Sequence, residues 1–132
     1  MSILLDTSYF LALLNESDVH HDEAKSVAVM IDSEKYGVVF TTDHILDEVI
    51  SVTLRKFGKE KAIYAGRYVL NKTNTIISDE HLIVASWKLF EKTRLNLSFT
   101  DCSLIVVSKA FGMEQIATFD KEFKKAGVKV ID

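Results

Sequence analysis

The sequence contains no proline, one cysteine, one tryptophan and five glycines in 132 residues. Without proline and with so little glycine, no linker or low-complexity tract divides the chain, and its length suits a single domain over residues 1–132. A domain of that size buries about two-thirds of its unfolded surface. The lone Cys102 excludes an internal disulfide and any cysteine-based zinc site. No apolar run approaches the roughly 18 residues that span a bilayer. The opening MSILLDTSYF lacks the basic segment and long apolar stretch of a secretory signal, so a soluble, cytoplasmic protein is expected. An excess of basic charge is also missing. Sixteen Lys and Arg face nineteen Asp and Glu, a net charge of −3, which on its face argues against a polyanionic partner.

What the chain does have is a regular alternation of short apolar runs and helix-patterned stretches. Ile3–Leu5 reads as a buried strand and Ser8–Leu14 as the helix after it. A turn at Asn15–Asp18 leads to a helix from about His20 to Lys35, then to a strand, Val38–Thr41. Thr42 or Asp43 caps a helix that Gly58 ends, and another helix follows from Lys59 to Asn71. Thr75–Ile77 is a third strand, and Ser78 or Asp79 caps a helix to Lys92. Thr100 or Asp101 starts the most apolar helix, which Gly112 closes. Gln115–Thr118 and Val128–Ile131 are the last strands, with a short helical turn between them. Strands that are apolar throughout and alternate with helices imply a mainly parallel sheet covered on both faces. The expected fold is a three-layer αβα sandwich.

Four acids stand where strands hand over to helices or early in the helix that follows: Asp6, Glu48, Asp101 and Asp120. The ends of parallel strands share one edge of a sheet, and ligands bind beyond that edge. Taken singly, Asp6, Asp101 and Asp120 are explained as helix caps that complement the helix dipole. Capping does not explain their convergence. Glu48 borders the apolar arc of its helix beside Ile45 and Val52, and an acid facing the sheet edge is costly unless paired or coordinated. Oxygen-only ligands select hard cations, Mg²⁺ or Mn²⁺, which activate water and offset charge on a phosphoryl oxygen. No Ser-His-Asp or Cys-His arrangement competes with this reading. A metal-dependent phosphodiesterase, and within that class a ribonuclease, is therefore expected. Thr7, Ser8 and Thr118 flank the acids and could hydrogen-bond a carboxylate, a water or a substrate phosphate; as turn and cap residues they would serve structure alone.

The remaining features are read more plainly. His20, His21, His44 and His81 show no metal-ligand spacing and are assigned to structure or surface. Trp87, Leu89 and Phe90 read as core, with an aromatic base-stacking platform as the other reading. Basic residues gather at Arg55, Lys56, Lys59, Lys61, Arg67 and Lys72 and again at Lys121, Lys124, Lys125 and Lys129. Those two runs suit a solvated surface or a phosphate-binding stripe equally.

Taken together, three segments resemble the PIN-domain family, especially its VapC-like ribonuclease toxins and their stand-alone relatives. ILLDTSYFLALLNESDVHHDEA resembles the family's first strand, its Asp and the His-bearing second helix. TTDHILDEVISVTLRKFG is similar to its second strand and acid-bearing helix, and LSFTDCSLIVVSKAFGMEQIATFDKEF to its closing metal segment. The resemblance carries the family's metal-binding acids onto Asp6, Glu48, Asp101 and Asp120, with Thr118 as the associated hydroxyl. It implies a Mg²⁺- or Mn²⁺-dependent endoribonuclease that attacks RNA with a metal-activated water, forms a homodimer, and in the toxin branch is blocked by a small antitoxin protein. The segment from Lys59 to Leu95 is weakly diagnostic. Other readings are a stand-alone RNA-processing nuclease and a non-catalytic Mg²⁺-binding interaction domain. An aspartyl-phosphate phosphohydrolase with Asp6 as nucleophile would usually carry a second Asp two residues on, where this chain has Ser8. A receiver-like switch would need a phospho-acceptor Asp after a central strand and a Lys in the pocket.

Overall fold

The computed structural model describes residues 1–132. Its elements run β1 (Ser2–Leu5), α1 (Thr7–Leu14), α2 (His21–Asp32), β2 (Val38–Thr42), α3 (Asp43–Phe57), α4 (Lys59–Lys72), β3 (Asn74–Ile76), α5 (Glu80–Lys92), α6 (Phe99–Ala110), β4 (Gln115–Ala117), α7 (Glu122–Lys125) and β5 (Lys129–Ile131). All five strands are parallel, in the order β3-β2-β1-β4-β5. The expected αβα sandwich is therefore found. Right-handed crossovers carry α1 to α4 over one face and α5 to α7 over the other. No helix is long and apolar enough to cross a membrane.

Ile3, Leu4, Phe10, Ile45, Val49, Leu104, Ile116 and Phe123 are fully buried and form the middle of one continuous core. The strand order reverses at β1. The chain builds leftward from β1 to β3, then returns to place β4 on the other side of β1. In sheets of this kind the crossovers diverge where the order reverses, and ligands bind beyond the carboxyl ends of the strands at that point. Leu5 pairs with Ala117 in register, so Asp6 and Thr118 each follow the last paired residue of its strand.

Two boundaries and one burial assignment differ most from the sequence expectation. The second helix ends at Asp32 rather than Lys35, because Glu34 and Gly37 both take left-handed φ, 61° and 74°. α6 starts at Phe99, since Ser98 is its cap and Asp101 its third residue. Trp87 and Phe90 are 52% and 40% exposed, so they are not core. α5 turns Leu82, Ser86 and Leu89 inward at positions i, i+4 and i+7, which leaves the adjoining stripe of Ile83, Trp87 and Phe90 facing out.

Gly37 leads into β2 where the amide of Val38 bonds the Met1 carbonyl at 3.1 Å. Any Cβ at Gly37 would overlap that same carbonyl oxygen. We expect Gly37→Ala to cost about 2 kcal/mol or more through backbone strain and collision. Gly112→Ala, with φ of 65° but open space around it, should cost about 1 kcal/mol. Urea denaturation of the two variants tests this ordering.

Candidate active site

Asp6 leaves β1 with its amide bonded to the Ala117 carbonyl at 3.0 Å. It occupies the N-cap position of α1, yet its side chain makes no capping bond. Its Oδ2 instead accepts hydrogen bonds from Ser8 Oγ at 2.9 Å and Thr118 Oγ1 at 2.7 Å. Those hydroxyl oxygens in turn accept from the amides of Phe119 and Asp120, each at 3.0 Å. Each hydroxyl thus hands its one proton to Asp6 and takes one from the loop after β4. This relay ties the ends of β1 and β4 together and fixes where Asp120 begins. The hydroxyl of Thr7 is buried with no partner, the one such side-chain atom in the protein.

The other acids arrive from three further elements. Asp101 forms a capping box with Ser98: the Ser98 amide bonds Asp101 Oδ2 at 2.9 Å, and the Asp101 amide bonds Ser98 Oγ at 3.1 Å. Asp120 accepts the Glu122 amide on Oδ1 at 2.9 Å. Glu48, in the middle of α3, is half-buried.

Electrostatics bind these positions into one site. Burial raises the Asp6 carboxyl from 3.8 to about 6, against its bonds to Thr118 and Ser8, and the charge of Asp101 adds to the rise. Burial likewise raises Asp101, partly offset by the bonds from Ser98 and reinforced by the charges of Asp120 and Glu48. Asp101 therefore lies within the field of all three other acids. None of the four has a cationic partner. The three ion pairs of the protein are Lys72–Asp32, Lys124–Asp132 and Lys125–Glu122, all at the surface. These pairs also neutralise three of the basic residues in the two charged runs.

An oxygen-only donor set, mutually repelling and lacking any Lys or Arg, suits a hard divalent cation. No three Asp, Glu, His or Cys side chains are grouped closely enough to enclose an ion by themselves.

The histidines serve packing. His20 stacks on Phe119 with ring centroids 4.6 Å apart and planes 1° from parallel, bracing the loop between Thr118 and Asp120. His21 Nδ1 lies 2.8 Å from the Ala12 carbonyl, and His44 meets Phe99 edge-on at 5.9 Å. His81 is exposed. Sequence reasoning missed Ser98 and Phe119. The Ser-x-x-Asp spacing from Ser98 to Asp101 is a capping-box signature that marks the former.

A carboxyl raised on folding binds its proton more tightly in the folded state, so it destabilises the protein as pH climbs from about 4 through about 6. The full shift corresponds to about 3 kcal/mol. We expect Asp6→Asn to melt several degrees above the parent at pH 7.5 without metal, with the gap closing towards pH 4. The amide oxygen still accepts from Ser8 and Thr118, so a lower melting temperature at pH 7.5 would show that the cost of burying this charge is smaller than what the charge gains from its two hydroxyls.

The PIN domain family model matches residues 3–129. The 23S rRNA-specific endonuclease VapC20 of Mycobacterium tuberculosis is 29% identical over 130 residues, covering 95% of this chain and 94% of the relative. The VapC ribonuclease of Archaeoglobus fulgidus is also 29% identical over 130 residues, covering 93% of this chain and 80% of the relative. The crystal structure of M. tuberculosis VapC20, a sarcin-ricin loop cleaving toxin, superposes with a TM-score of 0.86 at 27% identity, covering 96% of this chain and 95% of that one. VapBC2 of Rickettsia felis, solved bound to a promoter DNA fragment, shares the fold with a TM-score of 0.75 at 16% identity, covering 98% and 97%. With its strand order, its relatives and a family match spanning nearly its whole length, the chain belongs to the PIN domain family.

Proposed function

We propose that this protein is a Mg²⁺-dependent endoribonuclease, with Mn²⁺ able to substitute, and that it acts as the toxin of a toxin–antitoxin pair. The observation that supports the reading is four acids near the switch point of the sheet, with Asp101 repelled by the charges of Asp6, Glu48 and Asp120 and none of the four in an ion pair. In this reading Asp6, Glu48, Asp101 and Asp120 hold the ion directly or through its waters. When bound, a hard dication supplies Lewis acidity, making water a better nucleophile near neutral pH and offsetting charge on a phosphoryl oxygen.

The protein's own groups do the positioning. Ser8 and Thr118 hold Asp6 through Oδ2, fixing the carboxylate at the end of β1. Ser98 fixes the Asp101 side chain through its backbone amide, and the turn at Glu122 fixes Asp120. The buried hydroxyl of Thr7 lies one residue from Asp6 with its hydrogen-bonding capacity unused, which suits it to a water or a phosphate oxygen.

An RNA substrate is supported by the names of the two relatives, an rRNA endonuclease and a ribonuclease. A protein partner is supported by the apolar surface of the α3–α4 hairpin, where Leu54, Phe57, Ile63, Tyr64 and Leu70 are all exposed. The fold shared with VapBC2 favours a small antitoxin as that partner. A homodimer and a cytoplasmic location belong to the same reading.

Asp101→Asn, Glu48→Gln and Asp120→Asn should each lower RNA cleavage by about 100-fold or more, as expected for loss of a metal ligand. Each should also weaken Mn²⁺ binding measured by calorimetry. Chelation with EDTA should abolish cleavage and added Mg²⁺ restore it. Cleavage that persists in EDTA, or in Asp101→Asn protein, would overturn the assignment.

A further inference from the structure

α5 displays an aromatic feature that the carboxylate site does not use. Trp87 is 52% exposed and lies 5.9 Å from Phe90, which is 40% exposed. Phe90 meets Phe99 at 6.3 Å and 77°, and Phe99 meets His44 at 5.9 Å and 89°. The rings form an unbroken line from an open surface to a half-buried end. That end lies on the two helices that carry Glu48 and Asp101. His44 sits one helical turn before Glu48 on the same face of α3, and Phe99 opens α6 two residues before Asp101.

Single-stranded RNA is bound by aromatic rings on which unpaired bases stack, combined with cations that follow its backbone. Both elements are present here. Lys88, Lys92 and Arg94 are exposed around the end of α5, and none is engaged in an ion pair. A strand whose phosphate reaches Glu48 and Asp101 has this ring line immediately beside it. We propose that Trp87, backed by Phe90, is a substrate-positioning residue on which an unpaired base flanking the cut site stacks. The protein thereby selects loops and other unpaired RNA over duplex, whose bases are already stacked within the helix. This inference rests on the ribonuclease reading above and adds to it the residue that receives the RNA.

Trp87 is the only tryptophan, so intrinsic emission reports on this one ring. Cleavage-silenced Asp101→Asn protein is titrated with a short fluorescein-labelled single-stranded oligoribonucleotide and, separately, with its duplex form. Binding is followed by anisotropy, and tryptophan emission is followed with unlabelled copies. Stacking predicts that the single strand at least halves the emission while the duplex leaves it nearly unchanged. Trp87→Ala should weaken single-strand binding about tenfold, with Trp87→Phe retaining most of the affinity; circular dichroism melts check that both variants fold.

Binding of the single strand with unmoved emission, and Trp87→Ala binding within twofold of the parent, would overturn the inference and leave the nuclease reading intact. Emission that instead follows protein concentration without RNA would assign the ring line to a second copy and also overturn it. An unmutated protein that neither binds nor cuts RNA would remove the nuclease reading itself.

Discussion

The site depends on one buried carboxylate held by two hydroxyls. Asp6 is anchored between Ser8, two residues on, and Thr118, 112 residues away. That second bond is what makes the ends of β1 and β4 a single structure. A carboxylate at a parallel-strand terminus would ordinarily turn to cap the helix that follows. Here the capping bond is forgone, and the acceptor points across the sheet. Because each hydroxyl also receives an amide from the β4 loop, the position of Asp120 is inherited from the same contact.

The arrangement costs stability. Burial works against the charge on Asp6 and Asp101, and the neighbouring acids add to the penalty. Arginine or lysine beside these acids would relieve the repulsion. The chain keeps its ion pairs at the surface instead. Such unrelieved repulsion is the usual mark of a site whose local stability has been surrendered to function.

Much of this was legible in the residues. The sheet could be read because its strands are short, centred on apolar residues and punctuated by caps: Thr42 accepts from the Ile45 amide, and Asp79 from that of Leu82. The four acids could be proposed together because strand ends in a parallel sheet share an edge. Two features resist such reading. Trp87 and Phe90 are large and apolar, and their exposure depends on which side of α5 meets the sheet, which burial of Leu82, Ser86 and Leu89 decides. The start of α6 is the other, because Asp101 looks like a cap, whereas it is the third residue of a box closed by Ser98. The dual use of Asp101, in local folding and beside the other acids, makes its sequence signal ambiguous.

The order of the strands has a consequence in time. In synthesis Asp6 precedes Thr118 by 112 residues. β1 waits for its right-hand neighbour until β4 has emerged, and three strands of the sheet precede that event. A nascent polypeptide can therefore bury much of its interior while its cutting edge is still missing. The contact that joins the two halves of the sheet is therefore among the last to form as the chain emerges.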